Sequence, residues 1–228
     1  MWLPMESLCR QETKYPWELI IFEEKHDEQC GKDYFTPYFE RLCAAGCVSF
    51  RYLTSEEKLP LSKKWVRLSQ QAHEDSVMFC ICAADNYYQK DMVEDTGKAY
   101  DDGYDWLVTK KGFFYNFQTK QLVLYDKPQS AVGLQMSGAT KLMQTLPNES
   151  KFRLLDSWIY AKTAPKKPLS GVNTMTLCTH GYHNISQARG EMINKSVYPF
   201  YETDKKLEDI VPADIAQKIR NDNYTILP

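Results

Sequence analysis

The sequence predicts an α/β fold, a single domain with a mostly parallel central sheet flanked by helices. Three observations predict it. Strand and helix signals alternate through the first half of the chain, and the helical stretches run to about a dozen residues, the length of a crossover. The most apolar run, residues 76–84 (SVMFCICAA), has the flat hydrophobicity of a strand buried on both faces. Acidic residues stand at the carboxyl ends of two of these strands, where ligands of parallel sheets bind.

In order, residues 17–24 (WELIIFEE) read as a buried strand running into Glu23 and Glu24. Residues 34–45 carry apolar groups at helical spacing and stop at Gly46. Residues 47–54 form a second strand, and residues 62–73 an amphipathic helix with Ser62 as its N-cap. Residues 76–84 make the central strand, which ends in Asp85; a helix over 89–100 follows. Residues 105–126 read as a β-hairpin turning near Gln118–Lys120. Residues 137–146 and 153–163 are helical, on either side of the Pro147-Asn148 turn. Residues 172–179 return to strand and lead into the polar loop HGYHNIS, and a last helix covers 212–221. The divisions expected are a domain over 1–200, made of halves 1–100 and 101–200, and a helical tail over 201–228.

Composition narrows the function. The chain has 228 residues, 43% of them hydrophobic and 13% aromatic, which supports a sizeable core and argues against disorder. Its net charge of −2 gives no general electrostatic grip on nucleic acid. No apolar run approaches the roughly 20 residues of a membrane span, and a charged-then-apolar leader is missing, so cytoplasmic placement is expected. The seven cysteines are odd in number, several sit in apolar runs, and none has zinc-site spacing; buried reduced thiols are expected. No nucleophile elbow, phosphate-binding loop or dinucleotide fingerprint occurs.

Five segments, taken in order, resemble the family 2-like glycosyltransferases of GT-A fold: MESLCRQETKYPWELIIFEE, LSKKWVRLSQQA, FCICAADNYY, SGATKLMQTLP with RLLDSWIYAKT, and HGYHNIS with ARGEMI. The resemblance covers most of residues 6–195. It implies an inverting transfer of a hexose or pentose from a nucleotide sugar, a UDP-sugar by default, to a hydroxyl. A glycan, a lipid-linked sugar or a modified nucleobase would be the acceptor. The first half would then bind the nucleotide and the second the acceptor.

Residue by residue, Asp85 matches the acidic metal-binding motif, where Ala84-Asp85-Asn86 leaves one carboxylate beside a neutral amide. His180 and His183 would complete a shell for Mn²⁺ or Mg²⁺. Glu23, Glu24 and Asn86 would contact the donor, and Lys64, with Arg67, would approach its diphosphate. Asp156 would be the general base and Trp158 the acceptor platform. Plainer roles stand beside these: a turn-capping Asp85, a helix-start Asp156, surface histidines. The family's first strand has no counterpart, since only Met1–Pro4 precede the first helix; its place is missing or is filled by another segment or a second chain. A catalytically inactive binding or scaffold subunit is the alternative, and a nucleotidyltransferase a more distant one.

Overall fold

The structure is a computed structural model that describes residues 2–25, 30–108, 111–117, 120–126, 136–145, 176–180 and 200–221. It is a mixed α/β architecture. Helix α1 (Trp2–Leu8) opens the described chain and takes up the residues that the sequence reading left ahead of it. Strand β1 (Trp17–Glu24) pairs in parallel with β2 (Cys47–Ser55), with Ile20 opposite Arg51 and Glu24 opposite Ser55. Between them the helix expected over 34–45 divides into a 3₁₀ turn, Lys32–Tyr38, and α2 (Phe39–Ala44). Pro37 has no N–H to give, which suits the tighter turn. Gly46 then ends the segment at φ 89°, where the Trp17 indole donates to the Ala45 carbonyl at 2.9 Å.

Helix α3 (Leu61–Gln70) starts one residue earlier than expected, and Ser62 is not its cap. Pro60 holds that position in an extended conformation, and the Ser62 side chain is buried. Strand β3 (Met78–Ile81) is shorter than the run from which it was read. It is also not central. It lies at the edge of a three-stranded antiparallel sheet of order β3-β8-β5, with β5 at Trp106–Val108 and β8 at Met136–Ala139.

Strand β8 is a second correction, because residues 137–146 read as one helix. Of its described residues only Thr140–Gln144 (α5) is helical. Gly138 faces the ring of its cross-strand partner Trp106 so closely that a Cβ would come within 1.8 Å of it, so a glycine here makes room for the ring. The hairpin also shrinks: β6 (Lys111–Asn116) and β7 (Leu122–Asp126) form it, and β5 belongs to the other sheet. Lys120 takes φ 57° in its turn, with its N–H bonded to the Asn116 carbonyl at 2.8 Å.

The largest sheet has the order β10-β7-β6-β9-β4, with β4 at Asn86–Tyr87, β9 at Thr176–His180 and β10 at Phe200–Glu202. Among the described residues, parallel pairing is confined to β1–β2 and β6–β9, so the mostly parallel central sheet is not what forms. The reason is physical. Apolar runs show that a strand is buried but do not show the direction of its neighbour, and among the described residues α3 packs on β1, α4 (Met92–Asp101) and α5 on the sheet of β3, and α1 on β4.

Two apolar cores form among the described residues. One joins Leu3 of α1, Tyr87, Phe113 and Leu177 to Ile215 and Ile219 of α6 (Ala213–Asn221), so described residues of the expected tail pack into the domain. The other joins Met5 and Leu8 to Ile21, Phe35, Tyr88 and Met92. Strand alternation at Tyr87 and Tyr88 sends neighbouring rings into different cores, which fixes the turn carrying Asp85 at their junction. Each such fully buried large side chain contributes roughly 1.5–3 kcal/mol.

Candidate functional site

The parallel β1–β2 pair brings Glu23 and Glu24 to its carboxyl end, and each has a partner within the protein. The Glu23 carboxylate, 8% exposed, accepts hydrogen bonds from the Tyr52 hydroxyl at 2.6 Å and from the backbone N–H groups of Cys30 and Gly31 at 3.2 and 3.1 Å. Burial opposes its ionisation, but the Tyr52 hydrogen bond and the two N–H donors outweigh this and hold its pKa below the usual carboxylate value. Gly31 sits at φ 75°, which lets consecutive N–H groups turn toward one carboxylate. Glu23 is therefore a brace for the loop after β1.

Glu24 pairs with Lys64 at 2.9 Å and accepts the Leu59 N–H at 2.5 Å. Burial again works against the charge, while Lys64 and the Leu59 N–H lower its pKa on balance. Two residues predicted to approach the donor thus meet each other first, tying β1 to the start of α3. Arg67, one turn further on, lies over the Phe22 ring with 5.5 Å to its centroid.

The second half of the site is the turn between β3 and β4. The fully buried Tyr88 turns its hydroxyl back to accept the Ala83 N–H at 2.6 Å. The Asn86 N–H reaches the Ala83 carbonyl at 3.5 Å. Asp85 is half-buried here, and desolvation raises its pKa against the opposing effect of its own backbone N–H. The Asn86 side chain is buried at 2% exposure.

Strand β9 runs antiparallel to β4 with Cys178 opposite Asn86, so His180 lies two residues beyond that pairing, at the register end toward Asp85. On its other edge His180 is opposite Asn116. His183, Asp156 and Trp158 lie outside the described residues.

The turn of Asp85 and Asn86 offers one carboxylate and one neutral amide, a sparse donor set for Mn²⁺ or Mg²⁺. Among the described residues no group of three His, Cys, Asp or Glu is placed to hold a metal ion. The half-buried Asp85 carboxylate, its charge disfavoured by desolvation, and the backbone position of His180 on β9 lie at the same end of the β4–β9 pairing.

Sequence reasoning missed Tyr52 and Tyr88, whose hydroxyls fix Glu23 and the Asp85 turn. The signal for Tyr88 was present in the pair Tyr87-Tyr88 directly after the acid, since alternation must aim one ring back under the turn. The described thiols are free, and they differ from the expected burial most clearly at Cys43. Of the six cysteines whose side chains are described Cys47 is buried and Cys43 is exposed, while burial pushes the Cys9 thiol up to about 11. No described helix is long and apolar enough to cross a membrane. Compared with models of protein families and with curated proteins, the chain matches none.

Proposed function

We propose that this chain is a glycosyltransferase that moves a sugar from a nucleotide-sugar donor to a hydroxyl acceptor, with the donor held at the carboxyl ends of β1 and β3. One observation carries the reading. Asp85 stands in a turn closed by Tyr88 at the end of the apolar β3, and the register of β9 sets His180 toward that turn. The braced acids at the end of β1 support it by holding the loops at that strand end in place.

In this reading Asp85, with His180 and His183, holds a divalent cation. The ion would supply Lewis-acid stabilisation to the departing diphosphate. Asn86 offers a neutral carbonyl beside it, which weakens electrostatic holding and favours imidazole-tolerant Mn²⁺ over Mg²⁺. Lys64 steadies Glu24 and so positions the loop that faces the donor base. Asp156 takes the proton of the acceptor hydroxyl as the anomeric carbon is attacked, and Trp158 stacks on the acceptor ring.

A second reading, an inactive binding or scaffold subunit, is favoured by a specific observation: Glu23 and Glu24 both spend their carboxylates on internal partners. A panel of nucleotide sugars, scored by donor hydrolysis and thermal shift with Mn²⁺, Mg²⁺ or EDTA, separates the two. Turnover lost in Asp85→Ala and in Asp156→Asn supports the enzyme. Donor-dependent shifts without turnover support the binding subunit, and no shift with any donor rejects both.

A further inference from the structure

A groove of about 570 Å³ follows helix α3, bounded by Gln144 of the neighbouring α5. Its polar lining is two cations, Lys63 and Arg67, and three amides, Gln70, Gln71 and Gln144. Leu59 and Val66 supply its apolar part, and none of the described residues that line it is acidic. Helical spacing builds this surface. Residues three and four apart share a face, so Lys63, Arg67, Gln70 and Gln71 make one row about 12 Å long. Lys64 lies about 100° further round the helix and pairs with Glu24 instead.

The two cations of the row stand apart from the others nearby. Arg10, Arg41, Arg51 and Arg220 each face a carboxylate, whereas among the described residues Lys63 and Arg67 face none. Arg67 is held over the Phe22 ring, 5.5 Å from its centroid. A guanidinium stacked in this way keeps its N–H groups, which lie in its plane, for a further partner. The other end of the groove is fixed in place. Gln144 Nε2 donates to the Ser69 carbonyl at 3.3 Å, and the Arg51 side chain donates to the Gln71 carbonyl. The residues that continue from α5, 146–175, carry five basic side chains and two acidic ones, the wrong sign to fill a cationic groove.

We propose that this groove binds a phosphate-bearing small molecule, its phosphate across Lys63 and Arg67 and its polar remainder on the three glutamine amides. Charge and size select that class. A phosphate monoester carries about −1.5 to −2 charge and three acceptor oxygens, enough for both cations and several N–H groups. A carboxylate offers a single charge and two oxygens. Two cations are too few to hold a nucleic-acid strand, and the net charge of −2 adds no long-range pull on one. The volume is that of a site for a single small ligand. Lys63 stands in the first turn of α3, where the helix dipole also favours the phosphate. The groove lies along α3 and includes no residue of the Asp85 turn, and the proposal does not depend on glycosyl transfer.

The test is an NMR titration of the full, nitrogen-15-labelled chain with glucose 6-phosphate as the probe. Glucose, inorganic phosphate and citrate serve as comparisons at equal ionic strength. Backbone amides in 59–71 and the side-chain amides of Gln70, Gln71 and Gln144 should shift and saturate. The sugar phosphate should bind about tenfold more tightly than each of the three comparisons. Arg67→Gln and Lys63→Gln should each weaken it about tenfold, the size of one lost charge-assisted contact. Lys205→Gln, which removes the same charge elsewhere on the surface, should leave it unchanged. Four results overturn the proposal: no saturable shift, shifts confined to residues around Asp85, equal binding of citrate or inorganic phosphate, or an equal loss in Lys205→Gln. The probe is not a nucleotide and no turnover is read, so failure here is distinct from failure of the enzymatic reading.

Discussion

The hydroxyl of Tyr88 accepts a 2.6 Å hydrogen bond from the backbone N–H of Ala83 and so closes, from beneath, the turn that carries Asp85. Burial is complete at Tyr88, so Tyr88→Phe leaves the Ala83 N–H without its partner in a dry place. The expected loss is about 1–3 kcal/mol, read as a lower urea midpoint with an unchanged slope. Donor binding should weaken along with it. If stability is unchanged, the hydroxyl does not hold the turn.

Glu23 gives a pH-dependent prediction. Its pKa is lowered in the folded state, so its contribution is present above the unfolded carboxylate value and is lost as pH falls through the folded one. Glu23→Gln keeps the shape but loses the charge that three donors serve. At neutral pH it should cost about 2 kcal/mol. That difference from the parent chain should shrink steadily as pH falls below the ordinary carboxylate range. A difference that is flat across acid pH would remove Glu23 from this role.

Asp85 behaves in the opposite sense. Burial raises its pKa, so the folded chain loses stability as pH rises from the unfolded carboxylate value through the folded one. Asp85→Asn should therefore raise the melting temperature at neutral pH by a few degrees, with no gain at low pH. Added Mn²⁺ should stabilise the parent chain and leave the variant unmoved. A variant that is less stable than its parent at neutral pH would contradict the assignment.

Gly138→Ala tests the close packing of the Trp106 ring on its cross-strand partner in β8. A Cβ at this position would meet the Trp106 ring at 1.8 Å, and backbone pairing on both sides of β8 limits how far the strand can shift. A loss of about 1–3 kcal/mol is expected, by thermal or urea unfolding. Adding Trp106→Leu should recover part of it, and non-additivity in that double-mutant cycle is the diagnostic result.

The sequence reading located β1, β2, α3 and α6 to within a few residues, because each carries a signal with a local cause: Gly46, Pro212 or an amphipathic period. The failures are non-local. Residues 137–139 read as helix because SGATKLMQ has no strong strand former, and only the Trp106 ring explains the glycine. Residues 76–84 read as central because apolarity reports burial and says nothing of pairing direction. The same holds for the site. Acids at strand ends were visible in the sequence, but Tyr52, Lys64 and the Gly31 N–H, which set what those acids can do, become their partners only in the fold.

The core that joins Leu3 to Ile215 and Ile219 is reinforced at its rim by Arg10 with Asp214 at 2.6 Å and by Lys218 over the Trp2 ring at 4.0 Å. These partners lie about two hundred residues apart in the chain. During synthesis α1 emerges about two hundred residues before α6 and must wait for the surface that covers it. The chain should therefore fold late and depend on chaperones to shield α1, and nascent chains halted before residue 213 should remain protease-sensitive around Leu3.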